Sequence, residues 1–135
     1  MSSSKKIDQL SIELVNEDPL KRRAAAIKLG RIRDEKAIPN LILCIQNDED
    51  HLTRVSALQS LLWIAHPSII DPIIDLVIND NNDLVRKTAI EALGNMKVEK
   101  SLPMLKSLIN DSSTSKDMLE IIKITIEKLE HWFKF

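Results

Sequence analysis

The stretch Asn82–Gly94, NDLVRKTAIEALG, sets the pattern that the rest of the chain repeats. Residues 50–62 read DHLTRVSALQSLL and residues 18–30 read DPLKRRAAAIKLG, each starting thirty-two residues before the next copy. Self-similarity at a period of this length indicates stacked units of one supersecondary structure. The aligned positions are Leu20, Leu52 and Leu84; Arg22, Arg54 and Arg86; Ala25, Ala57 and Ala89; and Leu29, Leu61 and Leu93.

Each copy has the pattern of the second helix in a helical hairpin. Asp18, Asp50 and Asn82 open the copies, and their short side chains are of the types that cap helix N-termini. Thr114 falls at the corresponding place in a fourth copy, so we predict that it caps the last helix. The first helix of three hairpins carries a proline in its first turn, where a missing N–H leaves no hydrogen bond unmade. These prolines are Pro39, Pro72 and Pro103.

Glycine and proline mark the expected breaks between helices. Gly30 and Gly94 stand near the ends of two second helices, and we expect them to help the chain turn. Pro67 should end the helix before it, and Ser68 is predicted to cap the helix that follows.

A family resemblance rests on three features together. These are the early proline, an Asn- or Asp-rich turn, and a second helix reading V-R-x-A-A-x-x-A-L-G, which the third copy matches best. In these three features the chain resembles the HEAT repeats, and more narrowly the short repeats of phycobilisome lyases. The resemblance implies an all-α fold, a right-handed α-α superhelix of about four helical hairpins. We expect one solenoid domain over residues 1–135, with repeats at about 5–33, 34–66, 67–97 and 98–135.

The repeated arginines could be taken for catalytic or anion-binding residues. In HEAT repeats, however, this arginine typically pairs with turn acids or carbonyls and links successive turns. The resemblance therefore implies a structural arginine ladder of Arg22, Arg54 and Arg86. Met118, which we align with them in the fourth copy, fits this interpretation because no further turn follows there.

The second helices line the concave face of HEAT arrays, and the resemblance implies the same here. Outward positions recur at steps of four, which keeps them on roughly one face of a helix. Trp63 aligns with Arg31 and Asn95, so its position tolerates water; it could centre a binding groove or fold over the loop of His66 and Pro67. The predicted protein-binding face comprises Arg23, Ile27, Arg31, Val55, Gln59, Trp63, Lys87 and Glu91, continued by Leu119, Lys123 and Glu127 in the fourth copy.

The C-terminal aromatic residues allow two interpretations. Trp132, Phe133 and Phe135 follow the charged last helix. They could fold back on the final helices as a hydrophobic clasp, or they could form an exposed C-terminal anchor for a partner.

Composition excludes several classes of protein. The formal net charge is −1, which argues against a nucleic-acid-binding protein. A basic cluster, interpreted as a solvated helix end plus one structural arginine, comprises Lys21, Arg22, Arg23, Lys28, Arg31 and Arg33. One cysteine, Cys44, cannot form an internal disulfide and indicates a reducing compartment. No apolar run approaches the ~20 residues of a membrane span, so we expect no membrane insertion. The start MSSSKK lacks the apolar core of a signal peptide. We therefore expect a cytoplasmic or plastid-stromal protein.

No reaction can be read from the sequence. The three histidines lie in different repeats without ligands at metal spacing, and no glycine-rich phosphate loop is present. We therefore predict no catalytic residue, metal or cofactor. The expected function is a non-catalytic scaffold or adaptor that binds another protein. The alternative, implied by the resemblance, is a bilin lyase-like or phycobilisome-assembly subunit whose partner is a phycobiliprotein or a second lyase subunit. The sequence does not fix the oligomeric state.

Overall fold

Helices make up the regular structure of the protein. The computed structural model describes residues 2–134, and no strand occurs among them. The all-α prediction is confirmed. The α-helices of this part of the chain are α1 Ser3–Glu13, α2 Pro19–Ile32, α3 Ile38–Asn47, α4 His51–Ile64, α5 Ile70–Asn79, α6 Asp83–Asn95, α7 Leu102–Ile109 and α8 Lys116–Phe133.

The chain forms two compact units, one ending at Pro72 and the other beginning at Ile73. In the first unit α2 packs against both α1 and α4, and α3 packs against α4. In the second unit α8 packs against α6 and α7. Within each unit, the second helices of consecutive repeats therefore lie directly against each other.

Small residues and leucines fill the interior, as the repeat pattern predicts. Ala25, Ala57 and Ala89 are at most 2% exposed, so their burial is confirmed. An alanine at these positions lets neighbouring helices approach closely. The repeated leucines that follow are completely buried: Leu29, Leu61 and Leu93.

Side-chain caps fix the start of each second helix. The Asp18 carboxylate accepts a hydrogen bond from the Leu20 amide at 2.9 Å. Asp50 and Asn82 cap α4 and α6 in the same way. Each cap satisfies a backbone N–H that would otherwise have no partner in the helix.

The fourth second helix begins one residue later than predicted. Ser115, and not Thr114, caps α8, with its hydroxyl accepting from the Met118 amide at 3.2 Å. The Thr114 hydroxyl instead donates to the carbonyl of Leu108. The N-cap of α8 thus lies one residue later than the period predicts, and Met118 is buried, as Arg22 and Arg54 are.

The residues that turn the chain after the second helices are not glycines. Arg33, Ala65 and Lys97 adopt left-handed backbone conformations, with φ of 56°, 56° and 59°. They follow one another at the thirty-two-residue period of the sequence. The prediction that Gly30 and Gly94 help the turns is wrong, because both lie inside their helices.

Gly30 is required by the contact between two helices. A β-carbon at Gly30 would lie 2.6 Å from Ser60 Cβ and 2.7 Å from Trp63 Cε3, both on α4. The Ser60 hydroxyl also donates to the Ala26 carbonyl of α2 at 2.6 Å. Gly94 has a looser counterpart in the second unit, where a β-carbon would lie 3.1 Å from a methyl group of Thr125.

We predict that Gly30→Ala destabilises the protein by about 1–2 kcal/mol. Overpacking costs about 1–3 kcal/mol, and the better helix propensity of alanine returns at most about 1 kcal/mol. Gly94→Ala is the matched control and should be neutral or stabilise the protein by up to about 1 kcal/mol, because the Thr125 methyl group can yield and the gain in helix propensity remains. Urea unfolding followed by circular dichroism measures both. Equal effects of the two substitutions would contradict the close α2–α4 contact.

Candidate functional site

Arg22 links two inter-helix turns of the first unit. Its Nη1 donates to the carbonyls of Asn16 and Glu17, in the turn before α2, at 2.8 and 3.1 Å. Its Nε and Nη2 donate to the two carboxylate oxygens of Asp48, in the turn before α4, at 2.8 and 3.2 Å. The side chains of Arg22 and Asp48 are only 8% and 6% exposed. Arg22 is therefore a structural cross-link and is not available to a ligand.

The other two arginines of the ladder also bond to backbone carbonyls of turns or helix ends. Arg54 Nη1 donates to the carbonyl of Asp48 at 2.7 Å. Arg86 Nε donates to the carbonyl of Val77 at 2.9 Å, and its guanidinium lies 4.0 Å from Asp83. All three arginines thus satisfy carbonyl groups that precede their own helices, in the turn for Arg22 and Arg54 and in the last turn of α5 for Arg86.

Cys44 lies beside the Arg22–Asp48 pair and is buried. Its Sγ is 4.0 Å from Asp48 Oδ2. Burial, with a further contribution from the Asp48 charge, raises the pKa of the thiol to about 12. The side chain therefore stays a neutral thiol at physiological pH, whereas a nucleophilic cysteine acts as the thiolate.

Arg23, the first residue predicted for the binding face, already has a partner. Its Nε donates to Asp50 Oδ2 at 2.8 Å, and both side chains are partly buried. The same carboxylate oxygen accepts from the amide and hydroxyl of Thr53. Arg23 therefore joins α2 to the N-terminus of α4. This pairing could not be predicted from the position of Arg23 on its own helix.

Trp63 lies against α2 and exposes much of its ring. Its Cε3 edge approaches Gly30, while 43% of the residue remains accessible to solvent. The Arg23–Asp50 pair and the Gly30–Trp63 contact join α2 and α4 at opposite ends. The stretch between them contains Ile27 on α2, and Val55 and Gln59 on α4; the aliphatic side chains are half-buried and Gln59 is exposed.

The remaining residues of the predicted binding face differ in their exposure to solvent. Arg31 is exposed and directly follows Gly30 on α2. On α6, in the second unit, Lys87 is half-buried and Glu91 is exposed. On α8, Leu119 is half-buried, and Lys123 and Glu127 are exposed.

The loop after Trp63 is organised by His66. Its Nδ1 accepts from the Ser68 amide at 3.1 Å and lies 2.8 Å from the Ser68 hydroxyl, at the start of the short 3₁₀ turn Pro67–Ile69. The prediction that Ser68 caps the next helix is wrong, because Ser68 lies inside this turn. A histidine can act as a cap when its unprotonated ring nitrogen faces a backbone N–H.

The C-terminal aromatic residues lie in the second unit. The Trp132 ring is 58% exposed, and the Lys97 ammonium lies over it, 4.3 Å from the ring centroid. Phe133 is half-buried. Phe135 lies outside the described residues. A cation–π contact of this kind joins the end of α8 to Lys97 in the turn after α6, although much of the indole remains accessible.

The described residues form neither a metal-binding cluster nor a helix that could span a membrane. Between residues 2 and 134, no three His, Cys, Asp or Glu side chains come together as a group that could hold a metal ion. None of the helices in that range combines the length and the apolar character needed to cross a bilayer.

Comparison with known proteins agrees with the repeated architecture. A family model described as HEAT repeats matches residues 7–68 and again residues 44–118. The bilin biosynthesis protein PecE of Mastigocladus laminosus is 28% identical over 92 residues, which are 68% of this chain and 34% of that protein. The chain thus spans about a third of the length of the curated relative that it matches.

We predict that Arg22→Met destabilises the protein by about 3 kcal/mol, because it leaves the buried Asp48 carboxylate without its charged partner. Arg23→Met is the matched control and should cost about 1 kcal/mol, because its ion pair is partly exposed to water. Methionine preserves much of the aliphatic packing in both variants. Chemical denaturation measures the difference, and a smaller effect for Arg22 than for Arg23 would rule out the proposed cross-link.

A second prediction concerns acid stability. The hydrogen bond from Arg23 lowers the pKa of Asp50 from 3.8 to about 2, against the opposing effect of burial and with help from Thr53. Because the folded-state pKa is lowered, the stabilisation is complete above about pH 4 and is lost as the pH falls towards 2. Arg23→Met should therefore flatten the pH dependence of unfolding free energy in this window. Arg31→Met removes an exposed arginine and should leave this pH dependence unchanged. Parallel curves for wild type and Arg23→Met would refute the prediction.

Proposed function

Because the chain belongs to the HEAT-repeat family, we propose that it is a non-catalytic scaffold or adaptor that binds another protein. The proposed binding surface is the face formed by the second helices, which corresponds to the concave face of HEAT arrays. In the first unit it comprises the exposed side of α2 and α4. Lys87 and Glu91 mark the corresponding positions on α6. We place this activity in the cytoplasm or a plastid stroma.

The observation that carries the proposal is the half-exposed indole of Trp63. One edge of the ring is fixed against Gly30, and 43% of the residue remains open to solvent. A large side chain that is held in place loses little conformational entropy when a partner covers it. Tryptophan is also among the residues that most often dominate the binding energy of protein interfaces.

The surroundings of Trp63 provide the other parts of a small interface. Ile27 and Val55 offer partly accessible aliphatic surface, and Gln59 offers an amide that can donate and accept hydrogen bonds. Arg31 provides an exposed cation next to Gly30. An apolar centre with polar groups at its rim is the usual composition of a protein–protein contact.

A second candidate function follows from the similarity to a bilin biosynthesis protein. In this alternative the chain is a phycobilin lyase-like or phycobilisome-assembly subunit that works with another protein. Its partner would then be a phycobiliprotein or a second lyase subunit. The same face of α2 and α4 would serve for the contact.

Quantitative co-purification from the source cells tests both proposals. Wild type, Trp63→Ala and Trp132→Ala are used as baits, so that each variant loses one partly exposed indole. We predict that Trp63→Ala loses the specific partner by about tenfold or more, a change typical of interface tryptophans. Trp132→Ala should retain it. Visible absorption of a bilin in the purified complex would favour the second candidate.

Folding controls make the outcome interpretable. Each variant is checked by circular dichroism and thermal unfolding, since Trp63→Ala also removes a contact with Gly30. Undiminished partner recovery by folded Trp63→Ala would overturn the proposed face. Selective loss with Trp132→Ala would assign binding to the C-terminal anchor instead.

A further inference from the structure

A second surface of the first unit lies away from Trp63, in the groove between α1 and α2. The groove has a volume of about 890 Å³. Leu10 and Ile12 supply apolar surface, and Ile12 is 70% exposed. Lys6 stands on the α1 side, and Lys28 and Arg31 stand on the α2 side. Among the described residues that line the groove, Glu13 is the single acidic side chain.

The repeat itself shows that a helix can pack against this face of α2. Lys28 aligns with Ser60 of α4 at the thirty-two-residue offset. Ser60 is completely buried and donates to the Ala26 carbonyl, because α2 covers that face of α4. The corresponding face of α2 therefore has the backbone geometry of a helix-packing surface, but carries an exposed lysine in place of a buried serine.

The charge of α2 indicates which charge a helix bound in this groove must carry. The sequence of α2, PLKRRAAAIKLGRI, contains five basic residues and no acidic one. Asp48 and Asp50 neutralise Arg22 and Arg23, which point towards α4 and its preceding turn. Lys28 and Arg31 belong to the groove instead, and Lys6 faces them from α1. Three basic side chains and one acidic side chain therefore border the apolar surface, and the positive excess lies on the α2 side, because Glu13 offsets Lys6 on α1.

We propose that this groove binds an acidic amphipathic helix of a partner protein. The apolar stripe of that helix would cover Leu10 and Ile12, and carboxylates on its two flanks would pair with Lys6 and with Lys28 and Arg31. Recognition of an amphipathic helix in a groove is an established binding mode of helical proteins. α1 has 11 residues, or about 16 Å of helix, so the groove fits about three turns.

The groove between α1 and α2 is a separate surface from the Trp63 face. Lys6 and Lys28 lie outside the residues assigned to that face, whereas Arg31 belongs to both. The variants that test the groove therefore use Lys6, Lys28 and Ile12.

The test is a titration of the whole protein with a fluorescein-labelled synthetic peptide, followed by fluorescence anisotropy. The peptide is a helix of about three to four turns with leucines on one face and glutamates on both flanks. A control peptide has lysine in place of every glutamate. We expect the acidic peptide to bind at least about tenfold more tightly than the control, and its affinity to fall as salt is added.

Two sets of variants locate the contact. Lys6→Glu/Lys28→Glu should weaken the acidic peptide at least about tenfold. Lys106→Glu/Lys116→Glu, which makes the same change of net charge in the second unit, should leave the affinity within about twofold. Ile12→Ser should weaken binding severalfold through loss of apolar contact, and Trp63→Ala should have no effect. Circular dichroism confirms that each variant is folded.

Several outcomes would overturn the proposal. These are equal affinity for both peptides, no saturation below about 1 mM peptide, or equal loss in the two double variants. Loss with Trp63→Ala alone would assign the peptide to the other face. A short single-stranded RNA that binds as tightly as the acidic peptide would show recognition of charge alone, and would overturn the helix-binding site.

Discussion

The close contact between α2 and α4 constrains the rest of the first unit. Gly30 lies where a β-carbon would collide with Ser60 and Trp63, and the Ser60 hydroxyl reaches the Ala26 carbonyl across the contact. Helices that approach this closely exclude water and bring their flanking turns together. The turn before α4 then lies within reach of Arg22, whose guanidinium bonds to both turns. The arginine cross-link is thus a consequence of the small residues between the helices.

The same contact determines what the surface can offer a partner. Trp63 can lie against α2 because Gly30 has no side chain, and this leaves part of the indole exposed in a fixed position. Arg23 lies on the same helix but is neutralised by Asp50. The proposed face is therefore more apolar than the sequence of α2 suggests. Of the basic residues of α2 that remain, Lys28 and Arg31 line the groove between α1 and α2.

Much of the fold could be predicted from the period of the sequence, because each repeat forms its hairpin from local signals. The caps Asp18, Asp50 and Asn82 and the buried alanines are examples. The cap of α8 could not be placed from the sequence, because Thr114 and Ser115 are adjacent and are both capping residue types.

Other features depend on contacts between residues that are distant in sequence. A glycine near a helix end usually marks a turn, and the partners that require Gly30 lie thirty residues later. The left-handed residues Arg33 and Ala65 carry no sequence signal of their role, because such positions favour glycine. The pairing of Arg23 with Asp50 was missed for the same reason. Functional assignment from sequence is weaker still, since it requires knowing which charges are already neutralised.

The measurement that tests the central contact most directly is a ¹³C-edited NOE spectrum of the protein in solution. The close contact between α2 and α4 should give cross-peaks between the α-protons of Gly30 and the Hε3 proton of Trp63. Helical chemical shifts throughout α2 and α4 without those cross-peaks would contradict it, because the two helices would then form without the close contact on which the cross-link and the proposed face depend.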